Sequence, residues 1–102
     1  MDTANLAVED QQALRSAMEY WAARWDWECP TLFGIELDEL KRIIEHWPRV
    51  GRDDESHAEL ATIGALRELL YGASSRPKDA IETFIGISHK KAVALLAFLI
   101  EG

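Results

Sequence analysis

The sequence predicts an all-α fold, a compact bundle of four to five helices formed as a single domain by residues 1–102. Apolar residues recur at intervals of three, four and seven positions, as they do on one face of a helix. No long stretch alternates apolar and polar residues, and no Asn-Gly or Asp-Gly pair indicates a β-hairpin. The composition, 48% hydrophobic and 28% charged, is that of an ordinary globular domain.

The first predicted helix contains the aromatic-rich segment EYWAARWDWEC. Its core-facing stripe comprises Leu14, Met18, Trp21 and Trp25. We expect the two tryptophans of this stripe in the interior, because a helix buries one apolar face and an indole buries a large area. The helix is predicted to end near Glu28, because Pro30 disfavours helical backbone at the preceding residue. The segment PTLFGI that follows is predicted to be a turn.

The second predicted helix occupies the segment ELDELKRIIEHW and ends at Pro48. Its apolar side is expected to comprise Leu37, Leu40, Ile43, Ile44 and Trp47. Asp38, Arg42 and Glu45 lie on the opposite side at ion-pair spacing. Trp47 is therefore expected in the core, and the opposite side in solvent.

A third helix is predicted after Ser56 and Glu59, which match the S-x-x-E capping box. Its apolar face is expected to comprise Leu60, Ile63, Leu66 and Leu70, with Gly72 as the stop signal. Arg67 falls on this apolar side. It could contact an anion there, or pack its stem along the core with its guanidinium beside a carboxylate.

Two more helices complete the predicted bundle. Pro77 suits the first turn of a short fourth helix, and Gly86 ends it. Ser88 is predicted to cap the last helix. Because that helix is apolar nearly all round, we expect it to be the central and most enclosed element.

The charge distribution favours a protein partner over a nucleic acid. The net charge is −7, and Met1–Glu59 carries 14 acidic and 6 basic side chains. An acidic half repels phosphate backbones, so nucleic-acid binding is not expected. The same charge would steer a basic protein partner towards this domain.

The sequence offers two kinds of candidate contact residue. Trp27, between Asp26 and Glu28, is either an exposed anchor for a basic partner or packed beneath the PTLFGI turn. Carboxylates around the loop that precedes the third helix could form one patch, although the DDE segment at 53–55 could instead stabilise a helix N-terminus. The predicted partner-binding residues are Trp27, Asp38, Glu45, Asp53, Asp54, Glu55 and Glu59.

No catalytic, cofactor or metal signature appears, so we expect a non-enzymatic protein without cofactor or metal. His46, His57 and His89 lack the spacing of metal ligands, and there is no Gly-rich phosphate loop. Cys29 is the single cysteine, which fits a reducing compartment. The first residues do not resemble a signal peptide, and the apolar run Ala92–Ile100 is too short to span a bilayer. A cytoplasmic location is therefore expected.

The size, acidity and helical character of the chain, with the stretches WDWECPTLFGIELDELKRIIEHWP and GALRELLYGASS, resemble the immunity proteins of bacterial toxin systems. These include contact-dependent growth inhibition immunity proteins and helical colicin-type ones. The resemblance implies neutralisation of a cognate toxin, often a basic nuclease, by covering its active site or a nearby exosite. The alternative is a non-catalytic adaptor or regulatory protein, which could be a homodimer burying Trp27 and Tyr71. A monomer is the expected state.

Overall fold

The computed structural model describes residues 5–49, 55–72 and 78–101, and these residues form α-helices without any strand. The described part of the chain contains α1 (Val8–Ala23), α2 (Cys29–Phe33), α3 (Leu37–His46), α4 (Glu55–Tyr71), α5 (Lys78–Ile85) and α6 (His89–Glu101). The all-α bundle is confirmed. It has one helix more than predicted, because the segment expected to be a turn forms α2.

Helix α4 lies at the centre of the bundle and contacts each of the other helices. Its buried side carries three small residues, Ala58, Ala61 and Ala65, and towards its end the larger Leu66, Leu69 and Leu70. Small residues allow neighbouring helices to approach closely. Thr62 lies on the same face and satisfies its hydroxyl by donating to the Ala58 carbonyl at 2.8 Å. The central helix is thus buried through alanines near its start and through leucines near its end.

Helix α6 lies at the periphery, so the expectation that it would be the most enclosed element is wrong. One side packs inward and is formed by Ala92, Leu95, Leu96 and Leu99. The other side is also apolar but faces solvent, and Phe98 and Ile100 are 59% and 61% exposed. A helix that is apolar on every side can be fully buried. How much of it is buried depends on which other helices pack against it.

Helix α1 ends earlier than the predicted limit near Glu28. Arg24 closes the helix through its N–H bond to the Trp21 carbonyl. The Arg24 guanidinium lies 4.0 Å from the centre of the Tyr20 ring and donates to the Tyr20 carbonyl at 3.2 Å. Pro30 occupies the first turn of α2, a position where its missing N–H is not needed. The proline therefore starts a new helix instead of ending the old one.

The core contains a connected group of aromatic rings. Tyr20 meets Trp21 edge-on at 5.1 Å between ring centres and Phe84 at 5.2 Å. Phe33 lies 5.8 Å from Trp21 and stacks on Trp25 at 5.5 Å. These are the offset and edge geometries that aromatic quadrupoles favour. The prediction that Trp21 is interior is confirmed, and Trp25 is half-buried against the same core.

Two buried indoles connect helices by hydrogen bonds to backbone carbonyls. Trp21 Nε1 donates to the Ala65 carbonyl of α4 at 2.9 Å. Trp47 Nε1 donates to the Gln11 carbonyl of α1 at 2.8 Å. Both tryptophans are buried, so the prediction that Trp47 lies in the core is also confirmed. Each N–H thereby fixes the position of one helix along another.

The predicted helix-end signals are confirmed in part. Ser88 caps α6, since its Oγ accepts the Lys91 N–H at 3.2 Å. Gly86 has a φ of 81°, which a glycine adopts without strain, and it ends α5. The assignment of Ser56 as a cap is wrong, because α4 begins at Glu55 and Ser56 lies inside its first turn.

In the described ranges, no helix combines the length and apolar character required to cross a membrane.

We predict that Trp21→Phe destabilises the fold by about 1–3 kcal/mol. The substitution removes a buried hydrogen bond and leaves unfilled volume beside Phe33. Urea unfolding followed by circular dichroism measures this change. Trp27→Phe is the matched control and should shift the unfolding free energy by less than about 0.5 kcal/mol, because that ring is exposed. Equal effects of the two substitutions would contradict the role assigned to Trp21.

We predict that Gly64→Ala also destabilises the protein, by about 1–3 kcal/mol, although alanine is the better helix former. A Cβ at this position would lie 2.6 Å from Phe33 Cδ1, so the buried Phe33 ring or the helices themselves would have to shift. The loss should shrink in a Phe33→Leu background, which makes room for the added methyl group. A double-mutant cycle measured by urea unfolding tests this. A Gly64→Ala protein as stable as the original would disprove the contact.

Candidate partner-binding surface

Trp27 lies at the tip of a tight turn between α1 and α2. Asp26 Oδ1 accepts hydrogen bonds from the Glu28 N–H at 2.9 Å and from the Cys29 thiol at 3.4 Å. The Cys29 N–H donates to the Asp26 carbonyl at 3.2 Å. These bonds hold the residues on both sides of Trp27, and its side chain is 85% exposed. Of the two sequence alternatives, the structure therefore places this indole in solvent and not beneath α2.

The chemistry of this turn suits a cationic side chain. Trp27 presents an indole face, and Asp26 and Glu28 are exposed on either side of it. A Lys or Arg can lie over an indole through a cation–π interaction while its charge pairs with a neighbouring carboxylate. The three residues, which we name the Trp27 turn, thus combine an aromatic anchor with two negative charges.

The exposed face of α3 carries Asp38 and Glu45, two of the predicted contact residues. They are seven residues apart, which places them on the same side of the helix about 10 Å from each other. Lys41 and Arg42 are exposed between them. This face is consequently of mixed charge, with a carboxylate at each end and cations between.

Helix α3 is joined to the start of α4 by an ion pair. Glu39 Oε2 lies 2.5 Å from His57 Nδ1, and the pair is ionic when the imidazole is protonated. Because Glu39 follows Asp38, this contact brings the Asp38 end of α3 next to the first turn of α4, where Glu55 lies. Glu45 is at the opposite end of α3. Sequence reasoning missed this contact, because Glu39 and His57 are far apart in the chain.

The remaining predicted carboxylates are distributed differently. Asp53 and Asp54 lie outside the described residues. Glu59 follows His57 by two positions, so it points to the other side of α4, away from α3. There it is half-buried and lines a groove between α2 and α4. The joint action of these carboxylates on a partner stays a prediction.

The groove between α2 and α4 has a volume of about 480 Å³. It is lined by Thr31, Phe33, Gly34, Ser56, Glu59, Leu60, Ile63, Gly64 and Arg67. The prediction that Leu60 faces the core is wrong, since this side chain is 46% exposed. Leu66 and Leu70 of the same predicted face are buried as expected. Ala58, Ala61 and Ala65 are buried beside them, and Leu60 and Ile63 lie at the groove.

The position of Arg67 follows from the same rotation of α4. Leu60, Ile63 and Arg67 form one stripe at offsets of three and seven, and that stripe lines the groove. Arg67 is exposed there and does not enter the core. A cation on the apolar side of a predicted helix was therefore the sequence signal that this side is not fully buried.

The histidines are dispersed through the fold. His46 is exposed at the end of α3, His57 pairs with Glu39, and His89 begins α6. Within the part of the chain that the structure describes, no group of three His, Cys, Asp or Glu side chains could hold a metal ion.

Cys29 is buried at the start of α2. Burial raises the pKa of its thiol above the ordinary value. A hydrogen bond with the Asp26 backbone lowers the pKa, whereas the hydrogen bond to the Asp26 side chain and the negative charges of Asp26 and Glu28 raise it, so the net shift is upward. A raised pKa keeps the thiol protonated at neutral pH, and the protonated form is a poor nucleophile. This geometry favours a structural role in the Trp27 turn.

We predict that Cys29 reacts with iodoacetamide at least about tenfold more slowly in the folded protein than in concentrated urea. Burial blocks access, and the raised pKa shifts the onset of reaction to higher pH in the folded state. Mass spectrometry of the alkylated fraction over time at several pH values measures both effects. Equal rates with and without urea would show that the thiol is accessible and would contradict its assigned environment.

The chain matches no protein-family model, no curated protein and no solved structure.

Proposed function

We propose that this protein is an immunity protein that binds and neutralises a cognate bacterial toxin domain in the cytoplasm. The toxin domain is expected to be basic and of the nuclease type. One observation carries the proposal: Trp27 is 85% exposed in a hydrogen-bonded turn, between two exposed carboxylates. Tryptophan is among the residue types that are enriched at the hot spots of protein–protein interfaces.

The Trp27 turn is proposed to supply the short-range contact. A lysine or arginine of the toxin would lie over the Trp27 ring and pair with Asp26 or Glu28. The turn is already fixed by the hydrogen bonds of Asp26, so binding would order few additional groups. An interaction of this kind acts mainly on the dissociation rate.

The acidic side chains are proposed to supply long-range attraction. The net charge is −7, and exposed carboxylates such as Asp38 and Glu45 would steer a basic domain towards the α3 side of the bundle. Asp53, Asp54, Glu55 and Glu59 complete the set of proposed contact residues. Exposed charges such as those of Asp38 and Glu45 change association rates and their salt dependence more than they change the stability of the complex.

Neutralisation by this route requires no catalytic group in the inhibitor. A rigid domain that covers the active site, or an adjacent exosite, prevents the substrate of the toxin from entering. A nuclease groove is lined by cations that bind phosphates, and carboxylates of a protein can occupy the same positions. The exposed carboxylates and the aromatic anchor are the features of this domain that support this mode of inhibition.

The first experiment tests the class of function. The reading frames next to the gene are expressed one by one in a bacterial host, with and without this protein. We expect that one of them stops growth and that co-expression of this protein restores growth. A neighbouring toxin whose effect is unchanged by the protein, or neighbours without any toxicity, would refute the immunity proposal.

We predict that the two parts of the surface act on different rate constants. Trp27→Ala should raise the dissociation rate of the toxin complex by about 10- to 100-fold. Asp38→Lys with Glu45→Lys should lower the association rate by about 3- to 10-fold at low salt. Surface plasmon resonance against a catalytically inactive toxin domain measures both.

Glu9→Lys with Glu19→Lys is the matched control for the charge reversal. Both residues are exposed on α1, where Glu19 pairs with Arg15 at 3.0 Å and Glu9 lies 3.9 Å from Lys91, so this double reversal makes the same change in net charge on another helix. We expect a smaller effect on association than that of the α3 reversal. If Trp27→Ala left binding unchanged, or if the α1 and α3 reversals acted equally, the proposed surface would be wrong.

The second candidate is a non-catalytic adaptor or regulatory protein that forms a homodimer through Trp27 and Tyr71. The observation that favours it is the exposure of both rings, since Tyr71 is 60% exposed at the end of α4. In this case Trp27→Ala and Tyr71→Ala would both abolish self-association, and no neighbouring gene product would be neutralised. Sedimentation analysis of the two variants distinguishes this candidate from the immunity protein.

A further inference from the structure

The outward side of α6 is an exposed face with an apolar centre and charged ends. Lys90, Ala94, Ala97 and Glu101 are all exposed and follow one another at intervals of four, three and four residues, which keeps them on one side of the helix. Phe98 and Ile100 flank this line on its two sides, and both are mostly exposed. We name these six residues the α6 outer face.

The residues of this face are complementary to the same face running in the opposite direction. Its midpoint lies between residues 95 and 96. A second helix that runs in the opposite direction about this midpoint brings Lys90 opposite Glu101 and Ala94 opposite Ala97. Opposite charges thus meet at both ends, and the smallest side chains meet at the centre. An interface between identical surfaces requires this kind of self-complementarity.

We propose that a second copy of this chain docks antiparallel on the α6 outer face and forms a two-fold symmetric dimer. Ala94 and Ala97 allow the two helices to approach to about 8 Å, the short end of the range for packed helices. The ion pairs between Lys90 and Glu101 of the second copy close the interface at each end. The dimer would cover an apolar face that the monomer leaves in water.

The position of Phe98 supports this geometry independently. A hollow of about 410 Å³ lies beside it, between α6 and the start of α1. On α6 the hollow is lined by Lys91, Ala94, Leu95 and Phe98, and on the other side by residues that include Leu6 and Ala7. In the dimer, the two-fold axis places Phe98 of the second copy on this same side of α6. Measured along α6 from Phe98 of the first copy, it lies about 8 Å closer to Lys91. The ring therefore arrives at the hollow.

The charges of the face argue for a second copy over other occupants. Lys90 and Lys91 are at one end, and Glu101 is at the other. An anionic membrane surface would be repelled by Glu101, and a basic protein would be repelled by the lysines. Lys91 also lies 3.9 Å from Glu9 of α1, so charges of both signs continue across the rim of the hollow. A second, antiparallel copy of the chain presents the same positive and negative charges in the reverse order.

The dimer is independent of the proposed immunity function, because it uses α6 and not the Trp27 turn. It also differs from a homodimer built on Trp27 and Tyr71. From the sequence we expected a monomer, and we expected α6 to be enclosed because it is apolar nearly all round. Their exposure in the structure is the reason for the new inference.

Sedimentation equilibrium of the purified full chain tests the proposal. We expect a monomer–dimer equilibrium with a dissociation constant of about 10–100 µM, because a single helix on each side gives an interface at the small end of the known range. Phe98→Glu should abolish the dimer. Phe98 is mostly exposed, so the helical circular dichroism signal of this variant should be unchanged.

A charge exchange gives the sharpest test. Lys90→Glu and Glu101→Lys should each weaken the dimer about tenfold, because each creates two like-charge contacts in the symmetric pair. The double variant K90E/E101K restores opposite charges across the two-fold axis, so its dissociation constant should return to within about threefold of the original. Lys41→Glu on α3 is the matched control and should have no effect.

The outcomes are distinct. Restoration by K90E/E101K, together with loss of the dimer in Phe98→Glu, would support the proposed interface. A monomer for the unmodified chain at concentrations up to about 500 µM would overturn it. A dimer that is lost on Trp27→Ala but kept in Phe98→Glu would also overturn it and would favour the Trp27 and Tyr71 interface. A double variant as weak as the single ones would exclude the antiparallel register.

Discussion

The packing of Trp21 against α4 is the interaction on which the rest of the structure depends. Its indole N–H bonds to the Ala65 carbonyl, and its ring lies against Phe33, which in turn packs where Gly64 has no side chain. A bulky aromatic from α1 and one from α2 therefore both reach the backbone of one helix. The alanines on the buried side of α4 allow this close approach, and its buried leucines pack beside them, so that α4 is contacted by every other helix of the described residues.

The same packing determines which side chains remain exposed to solvent. Once the buried side of α4 faces the core, Leu60 and Ile63 lie at the groove beside α2, with Arg67 at one end. Once Trp25 stacks on Phe33, the chain has to turn before α2 can begin, and Asp26 closes that turn with bonds to Glu28 and Cys29. Trp27 is left in solvent at its tip. The exposed tryptophan is thus a consequence of how its neighbours are buried.

The two proposed surfaces lie on different elements and use different chemistry. The Trp27 turn offers an aromatic ring between carboxylates, which suits a cationic partner. The α6 outer face offers alanines between charges of opposite sign, which suits its own copy in reverse. A dimer formed through α6 would therefore carry two Trp27 turns, so that one assembly could engage two toxin molecules. Binding and self-association would then be separable by substitutions in different helices.

The sequence by itself determined the all-α class, most of the helix bounds, the cap at Ser88 and the burial of Trp21 and Trp47, because these depend on local periodicity and on the size of the side chain. It also identified Trp27 as the tryptophan that differs from the others. Only the tertiary structure decided which apolar stripe of α4 turns inward, that α6 lies at the edge, and that Glu39 meets His57. Periodicity shows which residues share a face, whereas a helix with two apolar faces is oriented by its neighbours. Leu60 and Phe98 lie on faces of this kind, and for that reason their exposure could not be read from the chain.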